Sequence, residues 1–446
     1  MDATTRREIP RLPAHWLLGN LPEFRRAPQD FIAHGCPPGH GLWMFRVFHK
    51  KMLVISDPDC AEHIFKTNGG NYRRGHQFKN LSAILGTGLV CMEGEVWKRH
   101  RKFVAPAFKP DFLKYSLTQN VRLIHKMLES WDQASAEGRC IDGAEEMRRF
   151  TLTVIVHALF SVDIDLEKHQ ALYQALVDAN DLVFRRHTSL INFPAWVPTP
   201  LNRAIAGCRR DIDEFISEQL RQKRANPDSG SEDIVDYLLA ANKDGELSEA
   251  EVYDEICTLF VAGFETTATA LAWTLYLLAR NPEAVAKWQV ELDEVLADRP
   301  PTWDDIPRLK FTENIFRESM RLYPSIYGLS RVSLQDDLVN GYAMPGGQAM
   351  ILSIYGIQRS PEYWDEPEAF KPERFEGKWP QRAYLPFGIG KHVCIGARFA
   401  TIEAMLILAC IGQRFHLQLD IDEEIAPEAR VSLLPSRPIK LRLERR

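Results

Sequence analysis

The chain has 446 residues, of which 45% are hydrophobic and 26% are charged, and its formal net charge is -5. This composition is typical of a globular protein, and the excess of acidic residues argues against nucleic acid as a partner. The eight cysteines are scattered and form no C-x-x-C pair, which argues against a disulfide framework and against structural zinc. We therefore expect reduced thiols and a cytoplasmic protein.

No linker-like or repeated segment divides the chain, so a single domain over residues 1–446 is the simplest interpretation. The nearest candidate for a linker, 224–232, is typical of a surface loop. The N-terminal segment 1–21 contains charges and prolines and lacks the apolar core of a signal peptide. The apolar runs 152–160 and 404–412 are well short of the roughly 18 residues that a membrane span needs. We expect no integral membrane association.

The pattern of apolar residues predicts a mainly α-helical protein with small β-sheets near its start and in its C-terminal third. Two short β-type runs, 41–48 and 51–56, follow a proline-rich beginning, and mostly helical periodicity then continues from about residue 58 to 296. The clearest helical segments are 112–131, Gly143–Phe160, 201–223 and Glu249–Arg280. The later predicted elements are a helix over 307–323, strands at 328–332 and Ala349–Ser353, an irregular stretch over 361–386, and a helix from just after Cys394 to about Arg414.

The most informative peptide is FGIGKHVCIG, which occupies residues 387–396. Its glycines allow the backbone to turn sharply and to approach a flat partner closely. Cys394 comes just before a predicted helix, and the free N–H groups at a helix start lower the pKa of a thiol. A lone cysteine in such a place is usually a buried structural thiol, so the surrounding pattern decides the interpretation.

This peptide resembles the signature F-x-x-G-x-[RH]-x-C-x-G of the cytochrome P-450 superfamily, the heme-thiolate monooxygenases. The resemblance implies the cytochrome P-450 fold, heme b as cofactor, the Cys394 thiolate as the axial ligand of the iron, and O2 as cosubstrate. A thiolate ligand donates electron density to heme iron and favours O–O cleavage. In addition, it implies that Phe387, His392 and Gly396 contact the heme.

A second motif, AGFETT at 262–267, interrupts the apolar helix Glu249–Arg280. A glycine inside a helix costs roughly 1 kcal/mol relative to alanine, and a threonine hydroxyl can bond back to the i−4 carbonyl and bend the helix. The alternative without a catalytic role is that the glycine forms a packing notch and that the glutamate is solvated. The resemblance to the family motif [AG]-G-x-[DE]-T implies that Ala262 contacts the heme. It also implies that Glu265 and Thr266 deliver protons during dioxygen activation.

A third set of motifs implies a structural network. Glu318 and Arg321 share a helix face, and such pairs are usually exposed and contribute little to stability. The stretch PERF at 372–375 follows at the spacing of the family elements E-x-x-R and P-E-R-F. The resemblance implies an internal ion-pair network of Glu318, Arg321 and Arg374 that holds the segment before the cysteine.

Heme propionates need cationic or N–H partners. In the stretch WKRHR at 97–101, Trp97 and Arg101 match the family pattern W-x-x-x-R, and Arg331 and His392 are further candidates. Arginine suits carboxylates because its donors form a planar fork. For Arg331, an ordinary surface arginine is the alternative.

Electrons are expected to come from NAD(P)H through separate proteins, because only about thirty residues follow the cysteine helix. We expect a ferredoxin or flavodoxin with its reductase, and a monomeric enzyme. Basic residues on the proximal side would attract an acidic carrier, although a solvated charge run is equally consistent. These residues are Lys98, Arg99, Lys102, Lys109, Lys391 and Arg398.

By family analogy the substrate pocket is mostly apolar, which fits a fatty acid, a terpenoid, a steroid or an aromatic molecule. Its candidate residues, which include part of a predicted loop over 78–89, are Phe78, Leu85, Phe184, Phe260, Ala262, Gly263, Ile326 and Tyr327. Near the entrance, Arg73, Arg74 and Lys79 are candidates to anchor a carboxylate.

Departures from the family pattern leave the subfamily open. His392 stands where many members have arginine, and Gln358-Arg359 replaces the usual His-Arg. Other elements are similar to those of fatty-acid hydroxylases. Peroxide-driven peroxygenases, non-oxidative enzymes of the same fold and non-catalytic heme- or ligand-binding proteins are the alternatives. The intact pair of Glu265 and Thr266 favours a monooxygenase, because a pure binding protein needs no proton relay.

Overall fold

The computed structural model describes residues 7–37, 39–75, 77–189, 192–226, 233–420 and 424–446, so residues 227–232 of the expected surface loop lie outside the described residues. The helices within these ranges are α1 Leu21–Arg26, α2 Pro28–His34, α3 Pro58–Glu62, α4 Gln77–Leu85, α5 Gly94–Val104, α6 Pro110–Ala136, α7 Gly143–Phe160, α8 Gln170–Thr188, α9 Pro200–Ala225, α10 Ile234–Lys243, α11 Glu249–Arg280, α12 Pro282–Leu296, α13 Lys310–Leu322, α14 Ile354–Ile357 and α15 Ala397–Arg414. The strands are β1 Leu42–Val47, β2 Lys50–Ile55, β3 Tyr72–Arg74, β4 Ile141–Asp142, β5 Gly328–Ser333, β6 Asp337–Val339, β7 Tyr342–Met344, β8 Ala349–Ser353, β9 Phe415–Leu419, β10 Pro427–Ala429, β11 Leu433–Pro435 and β12 Lys440–Arg445.

The mainly helical prediction with small sheets is confirmed, and α7, α11 and β8 have the predicted bounds. Two expectations were wrong. The predicted loop over 78–89 is helical as far as Leu85 in α4. The helix expected from residue 307 begins at Lys310, because the preceding 3-10 helix Trp303–Arg308 is held by Asp305, whose carboxylate accepts from the Thr302 N–H.

The chain divides into two compact units, each with its own core. The first unit comprises Met1–Lys79, Met320–Phe370 and Arg374–Cys394, and the second comprises Asn80–Ser319, Lys371–Glu373 and Ile395–Arg446.

A five-stranded sheet organises the first unit, with strand order β1-β2-β8-β5-β3. Strand β2 pairs with β1 antiparallel and with β8 in parallel. Side chains alternate along a strand between the two faces of its sheet, and both faces here are covered. Trp43 and Phe45 belong to one apolar cluster, whereas Leu42 and Met44 belong to the other.

Helix α11 is the longest helix of the second unit. It begins at a capping box in which Ser248 and Glu251 satisfy each other's backbone N–H groups, and it ends at Arg280, two residues before a proline. Helix α7 packs against it at Gly263, where an added Cβ would lie 2.8 Å from Ile155 Cδ1. The glycine therefore allows these two helices to approach closely.

Among the described residues, α11 is also the one helix whose length and composition alone would allow it to cross a membrane. Most of its apolar window is buried inside the protein. The same helix can therefore be accounted for as the core helix of its unit.

Candidate active site

The cysteine loop of the first unit is closed by its own backbone hydrogen bonds. The Cys394 N–H donates to the Phe387 carbonyl at 3.0 Å, and the Gly388 N–H donates to the Leu385 carbonyl at 2.9 Å. Gly388 and Gly390 have φ values of 77° and 79°, which lie in the left-handed region that favours glycine. The two glycines predicted to turn this peptide sharply therefore do so.

Gly390 also lies against the π-helical turn His63–Thr67, because an added Cβ would overlap the carbonyl oxygen of Phe65. The turn is held in place from two sides. His63 Nε2 lies 2.9 Å from Asp337 Oδ2, and the Arg331 guanidinium lies 4.5 Å from the centre of the Phe65 ring. Arg331 is buried, which excludes the surface-arginine alternative.

Cys394 differs from the other cysteines in its exposure. All eight lie within the described ranges, and Cys394 is exposed, whereas the others are buried or partly buried. Burial raises the pKa of Cys208, Cys257 and Cys410 to about 12, and it raises that of Cys60 as well. Desolvation therefore keeps these four groups as neutral thiols, which are poor metal ligands.

Helix α15 begins three residues after Cys394. Within the described part of the chain, no side chain caps its first turn, whose N-cap residue is Gly396. The first backbone N–H groups of a helix lack partners within the helix and carry partial positive charge. A cysteine just before such a turn has the setting that favours a thiolate.

Arg321 and Arg374 bind backbone carbonyls in the segment before the cysteine loop. Arg321 is fully buried and donates to the carbonyls of Pro367 and Ala369, while Arg374 also donates to the Ala369 carbonyl. The two guanidinium groups lie 5.2 and 6.0 Å from the centre of the Trp364 ring. Both cations therefore brace the same short stretch of main chain.

Glu318, which belongs to the second unit, accepts from the Lys371 N–H at 2.9 Å and is also fully buried. The exposed-pair alternative for Glu318 and Arg321 is thus excluded. The ion-pair network that joins them to Arg374 stays a prediction.

Gln358 was not singled out as a site residue, yet it is fully buried beside the start of the cysteine loop. Its amide nitrogen donates to the carbonyls of Met320 and Arg321 at 2.9 and 3.0 Å. Its amide oxygen accepts from the Leu385 N–H at 2.7 Å. The sequence does show that Gln358-Arg359 departs from the usual His-Arg pair. That departure does not indicate which residues Gln358 contacts.

One face of α11 is partly open. From Glu255 to Leu278, its partly exposed residues are Val261, Ala262, Gly263 and Thr266. The Thr266 hydroxyl donates to the Ala262 carbonyl at 2.7 Å, which is the i−4 bond that the motif predicted. Ala262 and Thr266 therefore lie one turn apart on the same accessible face.

Glu265 is buried next to this face. Burial raises its pKa to about 7, although the positive charge of Arg148, whose Nε lies 3.8 Å from Glu265 Oε1, acts in the opposite direction. The solvated-glutamate alternative is therefore excluded. A carboxyl with this pKa exchanges its proton near neutral pH, which a general acid or base requires.

Trp97 and Arg101 lie one turn apart on α5, with the guanidinium 5.8 Å from the centre of the indole ring. His100 ties this helix to α11, because its Nδ1 lies 2.7 Å from Glu255 Oε1 and both side chains are fully buried. The position of Trp97 and Arg101 in the second unit is thus fixed by a buried polar contact.

The comparison with known families decides the identity of the chain. A family model described as Cytochrome P450 matches residues 10–443. The chain belongs to the cytochrome P450 family. It is accordingly a cytochrome P450 monooxygenase, an oxidoreductase whose family uses heme with a cysteine thiolate as axial ligand and O2 as cosubstrate.

Three relatives show which proteins this cytochrome P450 is similar to. Protein LUTEIN DEFICIENT 5, chloroplastic, from Arabidopsis thaliana is 32% identical over 420 residues, which cover 87% of this chain and 68% of the relative. Cyclooctatin synthase from Streptomyces melanosporofaciens is 30% identical over 429 residues, 94% of this chain and 91% of the relative. Cyclooctat-9-en-7-ol 5-monooxygenase from the same organism is 32% identical over 417 residues, 90% of this chain and 88% of the relative.

The cofactor of the family fits the residues of this cytochrome P450. A thiolate ligand must be accessible and held by a rigid backbone, and Cys394 combines exposure with the closed, glycine-turned loop. Phe387 and His392 lie on this loop and are partly buried. The donor set is thus compatible with heme b.

The predicted basic residues differ in their partners. Lys98 Nζ lies 2.6 Å from Glu95, and Arg99 pairs with Glu251 of α11. Much of their charge is therefore neutralised within the protein. All six side chains are exposed, so exposure does not separate this pair from the other four: Lys102, Lys109, Lys391 and Arg398.

The pocket candidates of the second unit separate into core and accessible positions. Leu85 is buried, and the fully buried Phe260 stacks on Phe215 with ring centres 5.8 Å apart. Phe184 is partly exposed and lies beneath the Arg430 guanidinium. Phe260 is thus primarily a packing residue, whereas Ala262 and Gly263 lie on the open face of α11.

In the first unit, the candidate Phe78 lies beneath Arg74, whose guanidinium is 4.7 Å from the ring centre. Tyr327 packs against the cluster that contains Trp43, and burial raises its pKa to about 12. Ile326 is partly buried.

The replacement Gly390→Ala should disrupt the cysteine loop. The new side chain would adopt a left-handed φ, which costs about 1–2 kcal/mol, and it would also overlap the Phe65 carbonyl. The matched control is Gly377→Ala, since Gly377 has a φ of 83° and no atom near an added Cβ. Urea unfolding and heme content should show a larger loss for the first variant. Equal losses would mean that the contact with Phe65 is unimportant.

The replacement Glu265→Gln should stabilise the protein at high pH. Because the pKa of Glu265 is raised from 4.5 to about 7, the folded state binds more protons than the unfolded state between these values. Stability therefore falls as pH rises through this window. We expect the variant to have a higher free energy of unfolding by up to about 3 kcal/mol at pH 8, and no difference at pH 4. Urea titrations at both pH values measure this, with the exposed Glu214→Gln as the control that should show no such trend.

Proposed function

We propose that Cys394 provides the thiolate ligand of the heme in this monooxygenase. The observation that carries the proposal is that Cys394 is the exposed cysteine among eight, on a loop closed by its own N–H bond to Phe387. Helix α15 begins three residues after Cys394, and the N–H groups at a helix start favour a nearby thiolate. The raised pKa values of the buried thiols argue against them as ligands.

Glu265 and Thr266 are assigned to proton delivery. The heme, when bound, supplies the site at which O2 binds and is reduced. Thr266 lies on the open face of α11, and its Oγ1 is oriented by its bond to Ala262. Glu265 has a pKa near 7, so it can release and regain a proton at neutral pH, while Arg148 stabilises its charged form.

The heme propionates are assigned to Trp97, Arg101, Arg331 and His392. Arg331 is buried and held over Phe65, which leaves a cation in a fixed place. Trp97 and Arg101 present an N–H donor and a cation from adjacent turns of one helix. Ala262, Phe387 and Gly396 are assigned to contacts with the ring system.

Electron supply is assigned to a separate ferredoxin or flavodoxin with an NAD(P)H-dependent reductase, and residues 1–446 to one heme domain. Family membership implies that redox partners are needed. The exposed Lys102, Lys109, Lys391 and Arg398 are suited to attract an acidic carrier. We further propose a monomeric cytoplasmic enzyme.

The substrate is proposed to be an apolar molecule with a hydrocarbon skeleton, which fits a fatty acid, a terpenoid, a steroid or an aromatic compound. The printed name of one relative states that it acts on cyclooctat-9-en-7-ol, an unsaturated alcohol. The candidate pocket residues of this chain are mostly apolar, which is compatible with such a skeleton.

Replacing Cys394 by Ser or His should abolish the red-shifted Soret band of the reduced carbonyl complex, because that band requires a thiolate ligand. Absorption spectra of the reduced, carbon monoxide-treated proteins measure this. Cys140→Ser, which changes a cysteine outside the loop, is the matched control and should keep the band. Retention of the band in the Cys394 variants would contradict the assignment.

Oxygen uptake should require ferredoxin, reductase, NAD(P)H and an apolar substrate together. A substrate is first sought by screening terpenoids and fatty acids for a shift of the heme spin state. An oxygen electrode then measures uptake, and mass spectrometry measures one added oxygen atom per product. Turnover with peroxide alone would favour a peroxygenase, and no turnover with any spin-shifting ligand would favour a binding protein.

A further inference from the structure

Gln358 joins two parts of the first unit that are distant in sequence. Its side chain is fully buried, donates to the carbonyls of Met320 and Arg321 at the end of α13, and accepts from the Leu385 N–H at the start of the cysteine loop. The contact with Arg321 is reciprocal, because Arg321 Nη1 donates to the Gln358 carbonyl at 2.8 Å.

These bonds form the first part of a continuous path to the cysteine. From Leu385 the path continues through the bond that its carbonyl accepts from the Gly388 N–H. Phe387, which lies between these two residues, accepts from the Cys394 N–H at 3.0 Å. The position of the Cys394 backbone is therefore linked, bond by bond, to the buried end of α13.

The chemistry of an amide explains why glutamine suits this position. A glutamine side chain offers two N–H donors and a carbonyl acceptor at the same time, and here both carbonyls and the N–H are satisfied by one group. A neutral histidine, the usual family residue at this place, offers one donor and one acceptor. A methionine of similar size offers neither, and it would leave buried polar backbone groups without partners.

We propose that Gln358 is a positioning residue for the thiolate ligand, and that its amide must act as donor and acceptor together. The proposal rests on the proposed ligand role of Cys394. Gln358 contacts the main chain on both sides, so it sets where the cysteine loop begins relative to the Arg321 helix end. Its loss frees Leu385 and loosens the loop that presents the thiolate.

Two measurements on the full chain test the proposal. Hydrogen–deuterium exchange of peptides that cover residues 384–394 reports the loop itself, whether or not heme is bound. The fraction of the reduced carbonyl complex that shows the thiolate band, compared at equal heme content, reports ligation. A role confined to general stability would change the unfolding midpoint without changing this fraction.

In Gln358→Met, we expect exchange at Leu385 to accelerate by about tenfold or more, since a buried hydrogen bond is lost, and the thiolate fraction to fall. Gln358→His should lie between this variant and the wild type, because it keeps one donor and one acceptor. The matched control is Gln381→Met, which changes an exposed glutamine of the same unit and should match the wild type in both measurements.

Wild-type exchange and a wild-type thiolate fraction in Gln358→Met would overturn the proposal. If that variant does not fold, the same two measurements are made on Gln358→His, and wild-type values in both would overturn the proposal. Failure of the proposed function is distinguishable, because it appears as a thiolate band that persists in Cys394→Ser. In that case the assignment of Cys394 as ligand would be wrong. Faster exchange in Gln358→Met would still show that the hydrogen bonds of Gln358 hold the loop.

Discussion

The interaction on which the site depends is the backbone hydrogen bond that fixes one exposed cysteine in its loop. Cys394 is fixed through its N–H bond to the Phe387 carbonyl, and the loop between them turns at Gly388 and Gly390. Further support comes from residues outside this loop. The π-helical turn His63–Thr67 limits what can stand at position 390, and Arg331 holds that turn through the Phe65 ring.

The second unit faces a different physical problem, because α11 must be apolar enough to be buried and polar enough to handle protons. The capping box at its start and the proline two residues after its end set its bounds, so the middle can tolerate poor helix formers. There, the Thr266 hydroxyl donates a hydrogen bond to the Ala262 carbonyl of the same helix. Glu265 is buried in the same region, and its burial raises its pKa into the range where it exchanges a proton readily at neutral pH.

Sequence patterns predicted those parts that depend on local chemistry. Helices α7 and α11 have the predicted bounds because apolar periodicity and end signals agree there. The glycine turns of the cysteine peptide were also predicted, because the conformational freedom of glycine is a property of the residue itself. The contacts of Gln358 and the proximity of Arg148 to Glu265 were not predicted, because each joins residues far apart in the chain. Helix α4 was missed because residues 78–89 were interpreted from analogy with a loop.

Arg321 donates to the main-chain carbonyls of Pro367 and Ala369, and this has a consequence for how such a protein can change over time. A carbonyl is present whatever residue occupies the position. The sequence of the braced segment is therefore free to drift, provided that its path is kept, while the arginine is not. We therefore expect that the residue types of this stretch can change while the cation cannot.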